Sequence, residues 1–189
     1  SEEGVEVASM ELEAGRGLNR AVWDLRHTRQ GAASESGGFS RGSRGPLVIP
    51  GDYTVRLSIG SIIAEERVEV REDPRLSFEP GVRVEWTETL LDVWDLVDQA
   101  EQLAQDVGSR ADRLDLGTGS AVSDPLESRL RDLERTTGEL VSRLNRLYGS
   151  IQGWIGPLAA DQEMQSLFLR NKLAELSEQW KELDADLSR

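Results

Sequence analysis

Apolar residues recur at alternating steps of four and three along three stretches of the chain. The first is Trp86, Leu90, Val93, Val97, Ala100, Ala104, Val107, Ala111 and Leu114. The second is Leu126, Leu130, Leu133, Thr137, Leu140, Leu144, Leu147, Ile151 and Trp154, and the third is Leu169, Leu173, Leu176, Trp180, Leu183 and Leu187. A repeat that averages 3.5 residues keeps one narrow stripe of a helix turned toward a partner. The spacing predicts helices over about 82–115, 125–153 and 158–187, able to satisfy one another as an antiparallel three-helix bundle. A helix of about 29 residues is about 43 Å long, so such a bundle is elongated. The pattern specifies packing, not chemistry.

The ends of these stretches carry matching signals. Glu85 and Glu88 sit near the first N-terminus and Arg110 and Arg113 near its end, as the helix dipole favours. Gly117-Thr118-Gly119-Ser120 closes the first helix. Asp124-Pro125-Leu126-Glu127 opens the second with a cap, a proline at the first helical position and an acid shortly after. Gly153 to Pro157 separates the second helix from the third.

Before Asp73-Pro74-Arg75 the pattern changes to period two. Gly4 to Leu12 and Leu18 to Leu25 read as strands. Tyr53, Val55, Leu57 and Ile59 alternate, Gly60-Ser61 makes a two-residue hairpin turn, and Ile62 to Val70 returns. This register sets Ile59 opposite Ile62, Leu57 opposite Ala64 and Tyr53 opposite Val68 on one face. Arg56 lies opposite Glu65 on the other face, and Glu66 opposite Val55 is the misfit. A hairpin with one apolar face requires a second sheet or a partner to cover it. The segment from His27 to Pro46, rich in Gly, Ser and Arg, is long for a loop in a small domain.

The 189 residues suffice for one large or two small domains, and 38% apolar against 30% charged residues indicates a folded chain. A net charge of −13 repels nucleic acid and anionic lipid, and no apolar run approaches the roughly 20 residues a membrane helix needs. Neither nucleic-acid binding nor membrane insertion is expected. Lys172 and Lys181 are the only lysines, which fits either a high-salt surface or a biased base composition. With no cysteine, thiol catalysis, disulfides and Cys-based zinc sites are excluded. Ser1-Glu2-Glu3-Gly4 does not read as a signal peptide, so the chain is either mature or a fragment of something longer.

Candidate chemistry is sparse. His27, the single histidine, would have to serve any Ser-His-Asp relay, and it reads instead as a solvated loop residue. Asp92, Asp95, Asp98, Glu101 and Asp106 line the first helix without ligand spacing for calcium, as a solvated face or one that meets Arg129, Arg131, Arg135, Arg143 and Arg146 of the second. Arg26, Arg29, Arg41 and Arg44 form the basic cluster of an acidic protein, suited to an acidic surface. Trp86, Trp154 and Trp180 occupy heptad positions, whereas Trp94 falls one step off the stripe and is expected to be exposed. The partner-binding candidates are thus Arg29, Arg41, Arg44 and Trp94. No catalytic residue, metal ligand or cofactor site is assigned.

The segment Gly17-Leu18-Asn19-Arg20-Ala21-Val22-Trp23-Asp24-Leu25-Arg26, then Gly45-Pro46 to Pro50-Gly51-Asp52-Tyr53-Thr54-Val55-Arg56-Leu57 and Asp73-Pro74-Arg75, carries a resemblance. It resembles the C-terminal region of secreted bacterial proteins with sortilin-like, BNR/Asp-box β-propellers, often labelled glycosyl hydrolases. Its first half is also similar to the Ig-like domain of the flagellar hook-capping protein, and Arg143-Leu144-Asn145-Arg146-Leu147-Tyr148 matches a helical motif of the former group. The resemblance implies an α+β chain with an Ig-like antiparallel β-sandwich over 1–75 and the helices over 76–189. It implies Trp23 in the sandwich core, Asn19 and Asp24 bonded to local backbone, and Tyr53 packed beneath the Pro50-Gly51 turn. Any catalysis in that group would belong to a propeller, and no Asp-box repeat occurs here. The expected role is a non-catalytic interaction or assembly module, extracellular or in the bacterial cell envelope. Its expected partner is its own propeller, a cell-envelope protein or a second copy. A carbohydrate-binding accessory to a glycosidase is the alternative.

Overall fold

The computed structural model describes residues 4–13, 15–28, 45–79, 81–114 and 125–188. It is an α+β chain with a two-stranded antiparallel sheet and three helices: β1 (Gly51–Ile59), β2 (Ile62–Val70), α1 (Val82–Arg113), α2 (Pro125–Gln152) and α3 (Ala160–Leu187). The chain divides into two compact units, Ser1–Glu88 and Thr89–Arg189, the division falling within α1.

In the first unit the hairpin adopts the register read from the period-two pattern. Ile59 pairs with Ile62, Leu57 with Ala64, Val55 with Glu66 and Tyr53 with Val68. Gly60 takes φ +58°, the left-handed geometry that the first central position of a type II′ turn demands and that glycine tolerates. On the polar face the Arg56 guanidinium donates to Glu65 at 2.7 Å.

Two expected strands do not form. Gly4 to Leu12 and Leu18 to Leu25 have no ladder, so the sheet among the described residues is a hairpin and not a sandwich. The reason lies in the side chains: Val5, Leu12, Leu18 and Val22 are all more than half exposed, Leu18 at 96%. With nothing to pack on, their period-two pattern has no core to point at. Single bonds hold these segments instead. Thr28 N–H donates to Val7 O, Val48 N–H to Leu25 O and His27 N–H to Pro46 O, with one antiparallel bridge between Arg26 and Leu47. Leu25 sits at φ +59°, a conformation that costs a non-glycine residue about 1 kcal/mol.

In the second unit the heptad leucines are the core. Leu130, Leu133, Leu140, Leu144, Leu147 and Ile151 of α2 are buried, as are Leu169, Leu173, Leu176 and Leu183 of α3, and these two helices pack together. Thr137, on the α2 stripe, is buried with its hydroxyl donating to Glu134 O at 2.9 Å, so the helix satisfies its own polar intruder. Ion pairs fix directions. Arg129 near the start of α2 faces Asp186 near the end of α3, so the two run antiparallel. Arg170 of α3 faces Asp92 of α1 at 3.6 Å, and Arg110 late in α1 donates to Leu187 O late in α3, so that pair runs parallel.

The α1 stripe is wider than the repeat predicts. Trp94, Leu96 and Leu103 are buried beside Leu90, Val93, Val97, Ala100, Val107 and Ala111. Trp154, placed on the α2 stripe by its spacing, lies past the helix end at Gln152 and is 76% exposed. Gly156 makes its position possible, since a Cβ there would come within 2.6 Å of the indole Nε1.

Candidate functional site

In the first unit the side chains converge on Arg83, in the opening turn of α1. Its Nη2 donates to Val48 O at 3.0 Å and its Nε to Glu72 at 3.0 Å, and Nη1 donates to the Thr87 hydroxyl. Its guanidinium lies 4.8 Å from the centre of the Trp86 ring. Burial pushes this guanidinium below its ordinary pKa, while the Glu72 carboxylate opposes the shift. An always-charged planar fork can hold a backbone carbonyl, a carboxylate and an indole face together, which an ammonium cannot. The chain entering β1, the chain leaving β2 and the start of α1 are therefore tied at one point.

Beside this clasp, Tyr53 donates its hydroxyl to Ile49 O at 2.5 Å, and its ring meets Trp23 edge-on at 5.6 Å. Trp23 is half-buried and donates Nε1–H to Arg26 O. Asn19 bonds local backbone as expected, donating to Gly15 O and Gly17 O. In the Asp73-Pro74-Arg75 turn, the Arg75 guanidinium and backbone N–H both reach Asp73, which holds that carboxyl below the usual range.

The apolar face of the hairpin is not covered by the described residues. Leu57 is 50% exposed, Ile59 55%, Ile62 69% and Val68 39%, and only Val70 at the open end is buried. Among the described residues the face expected to be buried is thus a surface.

Arg29, Arg41 and Arg44 lie outside the described residues. Trp94 is buried, not exposed: one step off a seven-residue stripe is still inside the broad face that α1 turns inward. Of the acidic row of α1, Asp92 faces Arg170 of α3 at 3.6 Å. Among the described residues no group of three acids or histidines is arranged to hold a metal ion. Two shallow concavities flank α2. One of about 620 Å³ is lined by Arg135, Glu139, Ser142, Arg143 and Arg146; the other, of about 530 Å³, has Arg143, Arg146, Asp161 and Phe168 at its walls. Arg83 escaped sequence reasoning altogether, because an arginine one residue into a helix carries no periodic signal. Its only trace was an apolar neighbour at three residues' distance, Trp86.

His27 is half-buried rather than solvated, and desolvation lowers its pKa below 6.5. Well above pH 6.5 both folded and unfolded chains hold it neutral, so it has no effect there. As pH falls below 6.5 the unfolded chain takes up the proton first, and stability is lost on acidification. The NMR titration of this single imidazole should give a midpoint below the ordinary histidine value. His27→Gln should flatten part of the fall in unfolding free energy between neutral pH and pH 5.

No protein-family model, curated protein or solved structure matches this chain. No helix among the described residues is long and apolar enough to cross a membrane.

Proposed function

We propose that this chain is a non-catalytic interaction and assembly module, the C-terminal part of an exported, sortilin-like β-propeller protein of the bacterial cell envelope or exterior. The observation that carries this reading is the hairpin face of Leu57, Ile59, Ile62 and Val68, held in strict register yet open to solvent. A two-stranded hairpin is marginal alone. Each such side chain, once fully covered, returns about 1.5–3 kcal/mol. The face is therefore a seat for a second sheet, with which the hairpin completes an Ig-like sandwich. The Arg83 clasp supports this reading, since it anchors the open end of the hairpin and leaves the Ile59–Ile62 end to the partner. The helices then form an antiparallel three-helix bundle, a reading supported by the α2–α3 packing and by the ion pairs of α3 with both other helices.

A photo-cross-linking residue at Leu57 tests the proposal against the propeller and a cell-envelope fraction. The expected result is a discrete adduct that Val68→Asp abolishes while leaving the helical circular dichroism unchanged. Cross-links to no protein at all would sink it. A carbohydrate-binding role is the second reading, favoured by the 76% exposure of Trp154, since Trp94 is buried. A glycan array that stays silent removes it.

A further inference from the structure

α3 carries a second apolar line that the heptad core does not use. Met164, Leu167 and Phe168 are 68%, 61% and 57% exposed, while Leu169, Leu173 and Leu176 of the same helix are buried. Steps of three and four place Met164 and Leu167 on the side of α3 away from its core leucines, with Phe168 beside them at the edge of the concavity that α3 shares with α2. The charges around them are arranged symmetrically. Glu163 and Arg170 lie on one flank of the line, and Asp161 and Lys172 on the other. Both pairs are centred on the same point, between Ser166 and Leu167.

We propose that this face binds a second copy of the chain, α3 against α3, antiparallel, about a two-fold axis beside Leu167. A two-fold axis normal to the plane of an antiparallel helix pair keeps each flank facing its own counterpart. Glu163 of one copy therefore meets Arg170 of the other, and Asp161 meets Lys172, each contact occurring twice. A parallel pairing would set acid against acid. Leu167 packs on its symmetry mate, and Met164 fits between Leu167 and Asn171 of the other copy. The basic members are free to turn. Arg170 now reaches Asp92 at 3.6 Å and Lys172 reaches Glu175 at 2.9 Å, but their side chains keep 50% and 32% of their exposure. Four opposite-charge contacts at the centre locally offset the repulsion between two chains of net charge −13. This deepens the assembly reading above by naming a partner for α3, and it uses a surface separate from the hairpin.

Sedimentation equilibrium of the full chain over a concentration series tests it. The chain should reach dimer mass, and Leu167→Asp should remain monomeric with unchanged helical circular dichroism. Glu163→Arg and Arg170→Glu should each weaken the dimer about tenfold or more, and the double variant should recover most of that loss. Because the chain has no cysteine, Leu167→Cys supplies a clean second readout: a disulfide dimer on oxidation, where Glu182→Cys gives none. A monomer at every concentration, a dimer that survives Leu167→Asp, or a charge swap without rescue overturns the proposal. Loss of self-association with Leu57 cross-linking intact overturns this inference alone. A dimer that persists when Leu57 captures nothing overturns the hairpin reading and leaves the α3 pairing standing.

Discussion

Trp86→Ala should cost about 4 kcal/mol of unfolding free energy, within the range of 3–5 kcal/mol for a buried tryptophan cut to alanine. Trp86 is 1% exposed, and its indole is the platform on which the Arg83 guanidinium rests. Removing it opens a cavity and takes away the cation–π partner of a half-desolvated charge, which Glu72, Thr87 and Val48 O must then hold. Trp86→Phe keeps a ring face and should lose well under half as much. Urea unfolding, followed by tryptophan fluorescence and by far-ultraviolet circular dichroism, measures both variants. A loss below about 1 kcal/mol for Trp86→Ala would mean that the site collapses around the gap and that Arg83 is held by its hydrogen bonds alone.

Leu144→Ala should cost about 3 kcal/mol, while Trp154→Ala costs less than about 0.5 kcal/mol. The two residues occupy the same four-three stripe, so periodicity ranks the larger tryptophan as the greater loss. Their surroundings reverse the order. Leu144 is fully buried in the middle of α2, whereas Trp154 stands beyond the end of that helix, 76% exposed and resting on Gly156. Deleting Leu144 leaves a void among close-packed neighbours, and deleting Trp154 uncovers little that water does not already reach. Chemical denaturation of both variants decides between the two rankings: comparable losses would place Trp154 in the core.

The contrast between these residues is typical of what the chain reveals in one dimension. A heptad stripe reports which way a side chain faces only while the helix continues. Where α2 ends at Gln152, the angular relation to the core ends too, and Trp154 stands exposed beyond it. Trp94 errs in the other direction. It lies off the strict stripe, but α1 buries a broader face that also takes in Leu96 and Leu103, so one step off the seam is still interior.

The hairpin register was legible because it depends on local facts: a glycine that accepts φ +58°, a two-residue turn, and alternation that pairs Leu57 with Ala64 and Arg56 with Glu65. The strands expected at Gly4 to Leu12 and Leu18 to Leu25 were not decidable in that way. Alternation proposes a strand, but a strand forms only where another backbone accepts its hydrogen bonds and another face covers its apolar side. Among the described residues, one bridge and a few single hydrogen bonds join those segments to the rest.

By itself, then, the sequence determined the three helices, the leucine core of α2 and α3, and the pairing of the hairpin, because each follows from spacing along the chain and the fixed geometry of the backbone. Tertiary structure alone decided which tryptophans are interior, that Asp92 of α1 meets α3, that Arg83 gathers a carbonyl, a carboxylate and an indole, and that among the described residues the apolar sides of β1–β2 and of α3 remain open. Those outcomes depend on what approaches a residue from elsewhere in the chain, and periodicity carries no record of distance.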